Sequence, residues 1–86
     1  MSRPQTPHRL HRFRLLDGRE TRLYCRLAAV RETPFLTCRL FEDHRGGRWL
    51  EVEAGGQAAL LPLGEESFEQ RVAAELNALG LNKYSG

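Results

Sequence analysis

The chain has 86 residues, of which 41% are hydrophobic and 28% charged, and its formal net charge is +2. This length allows one domain, because a second hydrophobic core would not fit, and so small a core makes homodimerisation one source of additional stability. Two cysteines cannot form a disulfide framework. No apolar run is as long as a membrane span and the N-terminal segment does not resemble a signal peptide, so we expect a cytoplasmic protein with no membrane partner.

Charge is distributed unevenly along the chain. Residues 1–31 contain eight arginines and two acids, a net charge of +6, whereas residues 32–86 contain five basic residues and nine acids, a net charge of −4. This asymmetry indicates an anionic partner on one side of the protein. Mutual neutralisation of the two halves within the fold explains it equally well.

Alternation of apolar and polar residues predicts strands over much of the chain. Residues 1–8 are predicted to be a disordered lead-in, residues 9–81 a single α+β domain and residues 82–86 a short tail. Within the domain the alternation covers 9–15, 20–30, 35–42 and 48–54, separated by turns rich in glycine, proline or aspartate. A further run at 57–63 contains Pro62, which favours an edge strand or a strand end.

A single helix follows the strands. Ser67 and Gln70 have capping-box spacing, and Phe68, Val72, Leu76 and Leu79 recur with helical period up to Gly80. The predicted fold class is therefore α+β, a four- to five-stranded antiparallel β-meander with one C-terminal α-helix packed on one face.

Turn lengths predict the pairing of the strands and therefore their two faces. A three-residue loop at 16–18 pairs residue 13 with 21, a four-residue loop at 31–34 pairs 27 with 38, and a five-residue loop at 43–47 pairs 40 with 50. One face then collects the predicted core, which consists of Phe13, Leu15, Leu23, Cys25, Leu27, Leu36, Cys38, Leu40, Leu50 and Val52.

The opposite face carries the candidate ligand-binding residues. They are arginines and aromatic residues: Arg12, Arg14, Arg22, Tyr24, Arg26, Arg39, Phe41 and Trp49. Tyr24, Phe41 and Trp49 are predicted to form a row across three strands. Arg26 is predicted to lie opposite Arg39, and two like charges in that position suggest an anion between them.

Such a face matches the surface that binds single-stranded nucleic acid, since rings stack on bases and guanidinium groups hold phosphates. We therefore predict a small binding protein for single-stranded DNA or RNA. A protein partner remains open, with the chain acting as an adaptor, an inhibitor or a homodimer through the same face. A second core and ordinary cross-strand packing are further alternatives for the aromatic row.

No motif in the sequence indicates catalysis, a cofactor or a metal. His8 and His44 have no nucleophile or carboxylate at a telling spacing, and no catalytic site can be built from the histidines, so the protein is predicted not to be an enzyme. Cys25, Cys38 and His11 fall on one predicted face, where a Cys–Cys–His metal site competes with the commoner interpretation of two core cysteines.

The order of elements over residues 9–81, together with the aromatic and basic sheet face, resembles the single-stranded-DNA-binding transcriptional coactivators of the Whirly-like fold. The resemblance implies the same architecture and the same class of ligand. No motif matches residue by residue, so no site residue is transferred. Phage inhibitors and immunity proteins share this bare architecture.

Overall fold

The computed structural model describes residues 7–80, which form one antiparallel sheet and one helix. The elements are β1 (Arg9–Arg14), β2 (Glu20–Glu32), β3 (Thr37–Asp43), β4 (Arg48–Ala54), β5 (Gln57–Pro62) and α1 (Phe68–Ala78). The strands are hydrogen-bonded in sequence order, so the predicted α+β meander is confirmed with five strands. Residues 1–6 of the predicted lead-in, and residue 81 with the predicted tail, lie outside the described range. Within that range no helix has the length and apolar character needed to cross a membrane.

Two of the three predicted strand pairings are confirmed. Phe13 lies opposite Thr21, and the first turn closes where the Leu15 N–H donates to the Arg19 carbonyl at 2.8 Å. Gly18 adopts a φ of 90° in this turn, a conformation that favours glycine. Leu40 lies opposite Leu50 across β3 and β4. Both turns contain the glycine that their geometry requires, which is why their lengths could be predicted.

The predicted pairing of β2 with β3 is wrong. The loop comprises residues 33–36, because the Thr33 hydroxyl oxygen accepts the N–H groups of Phe35 and Leu36, at 3.2 and 3.0 Å. The register then changes by one residue between Leu27 and Ala29, where β2 contains a bulge. One extra residue in a strand reverses the face of the sheet to which each side chain beyond it points. Cys25 consequently lies opposite Asp43, and Arg26 opposite Glu42.

The bulge divides the predicted core between the two faces of the sheet. The residues predicted from β3 and β4 lie under α1, as expected, with Cys38, Leu40 and Leu50 buried there against Phe68 and Val72. The residues predicted from β1 and β2 lie on the other face: Phe13, Leu15, Leu23, Cys25 and Leu27. The prediction that Leu27 shares a core face with Cys38 and Leu40 is therefore wrong.

This other face forms a second core because the sheet curls. β1 and β5 approach each other and form one parallel bridge, between Leu15 and Leu60. Phe13, Cys25, Phe41 and Leu60 are buried inside the curl. We call this the inner face, and the side that carries α1 the outer face.

Helix α1 begins as predicted. The Ser67 hydroxyl accepts the Gln70 N–H at 3.1 Å, and the Gln70 side chain accepts the Ser67 N–H at 3.1 Å, which completes the capping box. Phe68 and Val72 are buried and Leu76 is half-buried, whereas Leu79 is 51% exposed. The helix therefore covers the outer face of β3 to β5 and leaves that of β1 and the first half of β2 uncovered.

Candidate binding surface

Five of the eight candidate residues lie together on the uncovered part of the outer face. They alternate along β1 and the first half of β2 with the inward-facing Phe13, Leu23 and Cys25, and they are Arg12, Arg14, Arg22, Tyr24 and Arg26. We call these five residues the outer basic surface. Strand period and the confirmed β1–β2 register together bring them side by side.

Two arginines face each other within this surface. Arg12 lies directly opposite Arg22, and both are exposed. Neither they nor Arg14 forms an ion pair with any residue between 7 and 80. Like charges directly opposite each other destabilise a sheet. The three guanidinium groups therefore form a concentrated positive charge that no ion pair in the described part of the chain neutralises.

Arg26 differs from these three arginines. Its guanidinium donates to the Glu42 carboxylate at 2.6 Å, and both side chains are partly buried. The predicted position of Arg26 opposite Arg39 is wrong, because the bulge places the two residues on opposite faces. No anion needs to be invoked between them.

An aromatic row does cross the outer face, but its members differ from those predicted. The Tyr24 ring stacks on His8 at a centroid distance of 5.7 Å and meets His44 edge-on at 5.6 Å. Tyr24 is 50% exposed, so one side of this row is open to a ligand. The predicted β1–β2 register, extended by one residue, places His8 on the same face as Tyr24. This was missed because residue 8 was assigned to the lead-in. The position of His44 beside Tyr24 could not be predicted from the sequence, because it depends on the bulge in β2.

Phe41 and Trp49 are inner-face residues, which corrects their assignment to a common surface with Tyr24. Phe41 is 5% exposed and packs edge-on against Phe13, with centroids 4.8 Å apart. The Trp49 indole N–H donates to the Asp43 carboxylate at 3.1 Å. Both rings therefore belong to the second core. A second core was one of the alternatives considered for the predicted row of Tyr24, Phe41 and Trp49.

Arg39 also lies on the inner face, away from the outer basic surface. It donates to Glu51 at 3.1 Å and to Glu53 at 2.8 Å. The hydrogen bond with Glu53 is the main reason why the pKa of Arg39 is raised above its ordinary value. Its charge is neutralised by two carboxylates, unlike the charges of Arg12, Arg14 and Arg22.

Asp43 holds the turn that presents His44. Its carboxylate accepts the Gly47 N–H at 2.7 Å and the Arg45 N–H at 2.9 Å, in addition to the Trp49 indole N–H. These bonds lower the pKa of the Asp43 carboxyl group, and the bond from the Trp49 indole contributes most to the lowering. The turn is thus anchored to the second core on one side and carries an exposed histidine on the other.

The sheet separates the residues considered for a metal site. Cys25 is buried in the second core and Cys38 under α1, so the two thiols lie on opposite faces. Burial raises the pKa of the Cys25 thiol to about 11, with the nearby Asp43 contributing. Between residues 7 and 80 no group of three or more His, Cys, Asp or Glu side chains is placed to hold a metal ion.

Comparison with known proteins adds no assignment: no protein-family model, curated protein or solved structure matches the chain.

Proposed function

We propose that the protein is a small, non-catalytic, cytoplasmic binding protein that takes single-stranded DNA or RNA on its outer basic surface. The observation that supports this most directly is the Arg12–Arg22 pair, two exposed guanidinium groups opposite each other without a carboxylate partner among the described residues. A bound phosphate between them replaces repulsion by two charge-assisted hydrogen bonds.

The row of His8, Tyr24 and His44 lies beside these arginines, which favours a nucleic acid over a simple anion as the ligand. Tyr24 follows Arg22 by two residues on the same face of β2, so their Cα atoms lie about 7 Å apart along the strand. Single strands bind through bases stacked on rings and phosphates held by basic groups. His8 and His44 extend the ring surface on either side of Tyr24.

A protein partner is the second candidate, favoured by one further observation. Leu10 lies opposite Tyr24 on the same surface and is 63% exposed. Protein interfaces combine apolar side chains with tyrosine and arginine, so the surface also suits an acidic protein or a second copy of this chain. A homodimer through Trp49, by contrast, loses its basis, since that ring packs in the second core.

The deciding experiment is a salt-series titration of a fluorescein-labelled oligothymidine, followed by anisotropy. We expect binding at low salt. The slope of log K against log salt concentration should be about −0.7 for each phosphate contacted. Arg22→Ala should weaken binding and reduce that slope.

The matched control is Arg31→Ala, which removes the same charge from the same strand. Arg31 already pairs with Glu69, beyond the bulge, so its loss should leave affinity nearly unchanged. An equal loss for both variants, or no binding by the unmodified protein at low salt, excludes the nucleic acid. A concentration-dependent dimer in sedimentation that Tyr24→Ala abolishes would then establish the homodimer.

A further inference from the structure

The curled sheet leaves a cleft where its two edges meet. β1 and β5 are joined by the single bridge between Leu15 and Leu60. Next to this bridge, between the β1–β2 turn and the β4–β5 hairpin, lies a cleft of about 720 Å³. Binding sites for small molecules have volumes of about 300–1,000 Å³, so the space is adequate for one. We call it the edge cleft.

The edge cleft exists because its walls carry small side chains. The cleft is lined on the β4–β5 side by Ala54, Ala58 and Ala59, and at the two turns by Gly18 and Gly56. None of these residues can fill the space between the edges. Apolar surface therefore remains accessible in a region where larger side chains would have filled the gap between the two edges.

Three larger apolar residues, Leu15, Leu16 and Val52, also line the cleft, together with the uncharged polar side chain of Gln57. Leu16 is 79% exposed, the highest value among the exposed large hydrophobic residues between 7 and 80. An apolar ligand in the cleft would remove this leucine from water, and the burial of its apolar surface favours binding.

Among residues 7–80, Arg14 is the one charged residue that lines the edge cleft. Glu20 lies opposite it in the register, yet the two form no ion pair, and Asp17 of the adjoining turn is held by Arg19 at 2.7 Å. The Arg14 guanidinium is therefore available to an anion. Its planar group of N–H donors matches the two oxygens of a carboxylate.

We propose that the edge cleft binds a small aliphatic carboxylate. The hydrocarbon chain of the ligand packs against Leu15, Leu16 and the alanines, and its carboxylate binds Arg14. This proposal does not depend on the nucleic-acid proposal. The two share Arg14, but the apolar lining of the cleft contributes nothing to the outer basic surface. Each can therefore fail while the other holds.

The test uses octanoate as the probe and the methyl groups of ¹³C-labelled alanine as reporters. Titration of the whole protein should shift the resonances of Ala54, Ala58 and Ala59 along one saturating curve. Ala28 and Ala74, which do not line the cleft, should remain unmoved. Octanol, with the same chain and no charge, should bind about tenfold more weakly, the effect of losing a charged hydrogen bond.

Two variants separate the contributions of charge and shape. Arg14→Gln should abolish the preference for octanoate over octanol while leaving octanol binding intact. Ala59→Leu should fill the cleft and weaken both ligands without changing oligonucleotide affinity, whereas Ala74→Leu on α1 should change neither. The proposal is overturned if octanoate shifts no methyl resonance of the unmodified protein, or shifts Ala28 and Ala74 as much as the three cleft alanines.

Discussion

Arg12 lies directly opposite Arg22 on paired strands, and neither guanidinium has a carboxylate partner between residues 7 and 80. Elsewhere on the sheet the same residue type is neutralised, as Arg39 is by Glu51 and Glu53. The pair therefore weakens the fold at the place where an anionic ligand would strengthen it. This relationship makes stability and binding separable by mutation.

Arg12→Glu should stabilise the protein while abolishing oligonucleotide binding. Opposite charges across antiparallel strands contribute roughly 0.2–1 kcal/mol, and the change also removes the repulsion with Arg22. Urea denaturation followed by Trp49 fluorescence measures the free energy of unfolding. Arg31→Glu, which breaks the pair with Glu69, should destabilise instead. Equal destabilisation by both variants would show that the Arg12–Arg22 contact is not repulsive.

Removing the Tyr24 ring should weaken oligonucleotide binding without changing its salt dependence. Loss of one stacked base costs about 1–3 kcal/mol, while the phosphate contacts that determine the salt slope remain. Phe35→Ala is the control, since that ring is 58% exposed in the β2–β3 loop, away from the outer basic surface. If Tyr24→Ala flattens the salt slope as strongly as Arg22→Ala does, the ring is not stacking on a base.

Phe41→Ala should act on stability and not on the binding surface. The ring is buried against Phe13 in the second core, and truncating a buried phenylalanine costs about 3–5 kcal/mol. Phe35→Ala, at an exposed position, should change the free energy of unfolding by no more than about 0.5 kcal/mol. Chemical denaturation of the two variants compares them directly. Similar values would contradict the existence of a second core.

The two thiols should be unreactive in the folded protein. Burial raises the pKa of Cys25 from 9.0 to about 11 and also raises that of Cys38. At pH 8 only about one thousandth of Cys25 is then thiolate, the reactive form. Folded protein should react with a disulfide reagent only as fast as it unfolds, whereas protein in urea should titrate both thiols at once. Rapid modification of one thiol in the native state would contradict its burial.

The raised pKa of Cys25 also predicts a loss of stability at alkaline pH. The folded state keeps its proton where the unfolded thiol ionises, so this contribution is complete below pH 9.0 and is lost as the pH rises towards about 11. Unfolding free energies measured across this interval should fall for the unmodified protein and fall less for Cys25→Ala. Parallel curves would show that Cys25 is not the group responsible.

Asp43 should contribute to acid denaturation. Its pKa is lowered in the folded state, chiefly by the Trp49 indole N–H and then by the Gly47 N–H. The contribution is therefore present above the unfolded pKa of about 3.8 and is lost as the pH falls through the lower folded value. Asp43→Asn should remove this part of the acid transition. Trp49 fluorescence reports it locally, and an unchanged acid midpoint would contradict the role of the carboxylate.

The sequence by itself determined the strands, the helix and two of the three tested pairings. Alternation identifies a strand locally, and Gly18 and Gly46 occupy turn positions with positive φ that few other residues tolerate. Ser67 and Gln70 similarly identify the start of α1 within four residues of chain. These features depend on neighbours in sequence, so a pattern can reveal them.

Only the tertiary structure decided which residues share a face. The bulge between Leu27 and Ala29 has no strong local signal, yet it moves Cys25 from the predicted company of Cys38 to that of Phe41. Because side chains alternate with a period of two, one unpaired residue reverses every assignment beyond it. The approach of Leu15 to Leu60 then buries the inner face, through a contact between residues 45 positions apart in the chain. The outer basic surface survived this change because all five of its residues lie on the same side of the bulge. Phe41, Trp49 and Arg39 lie on the other side.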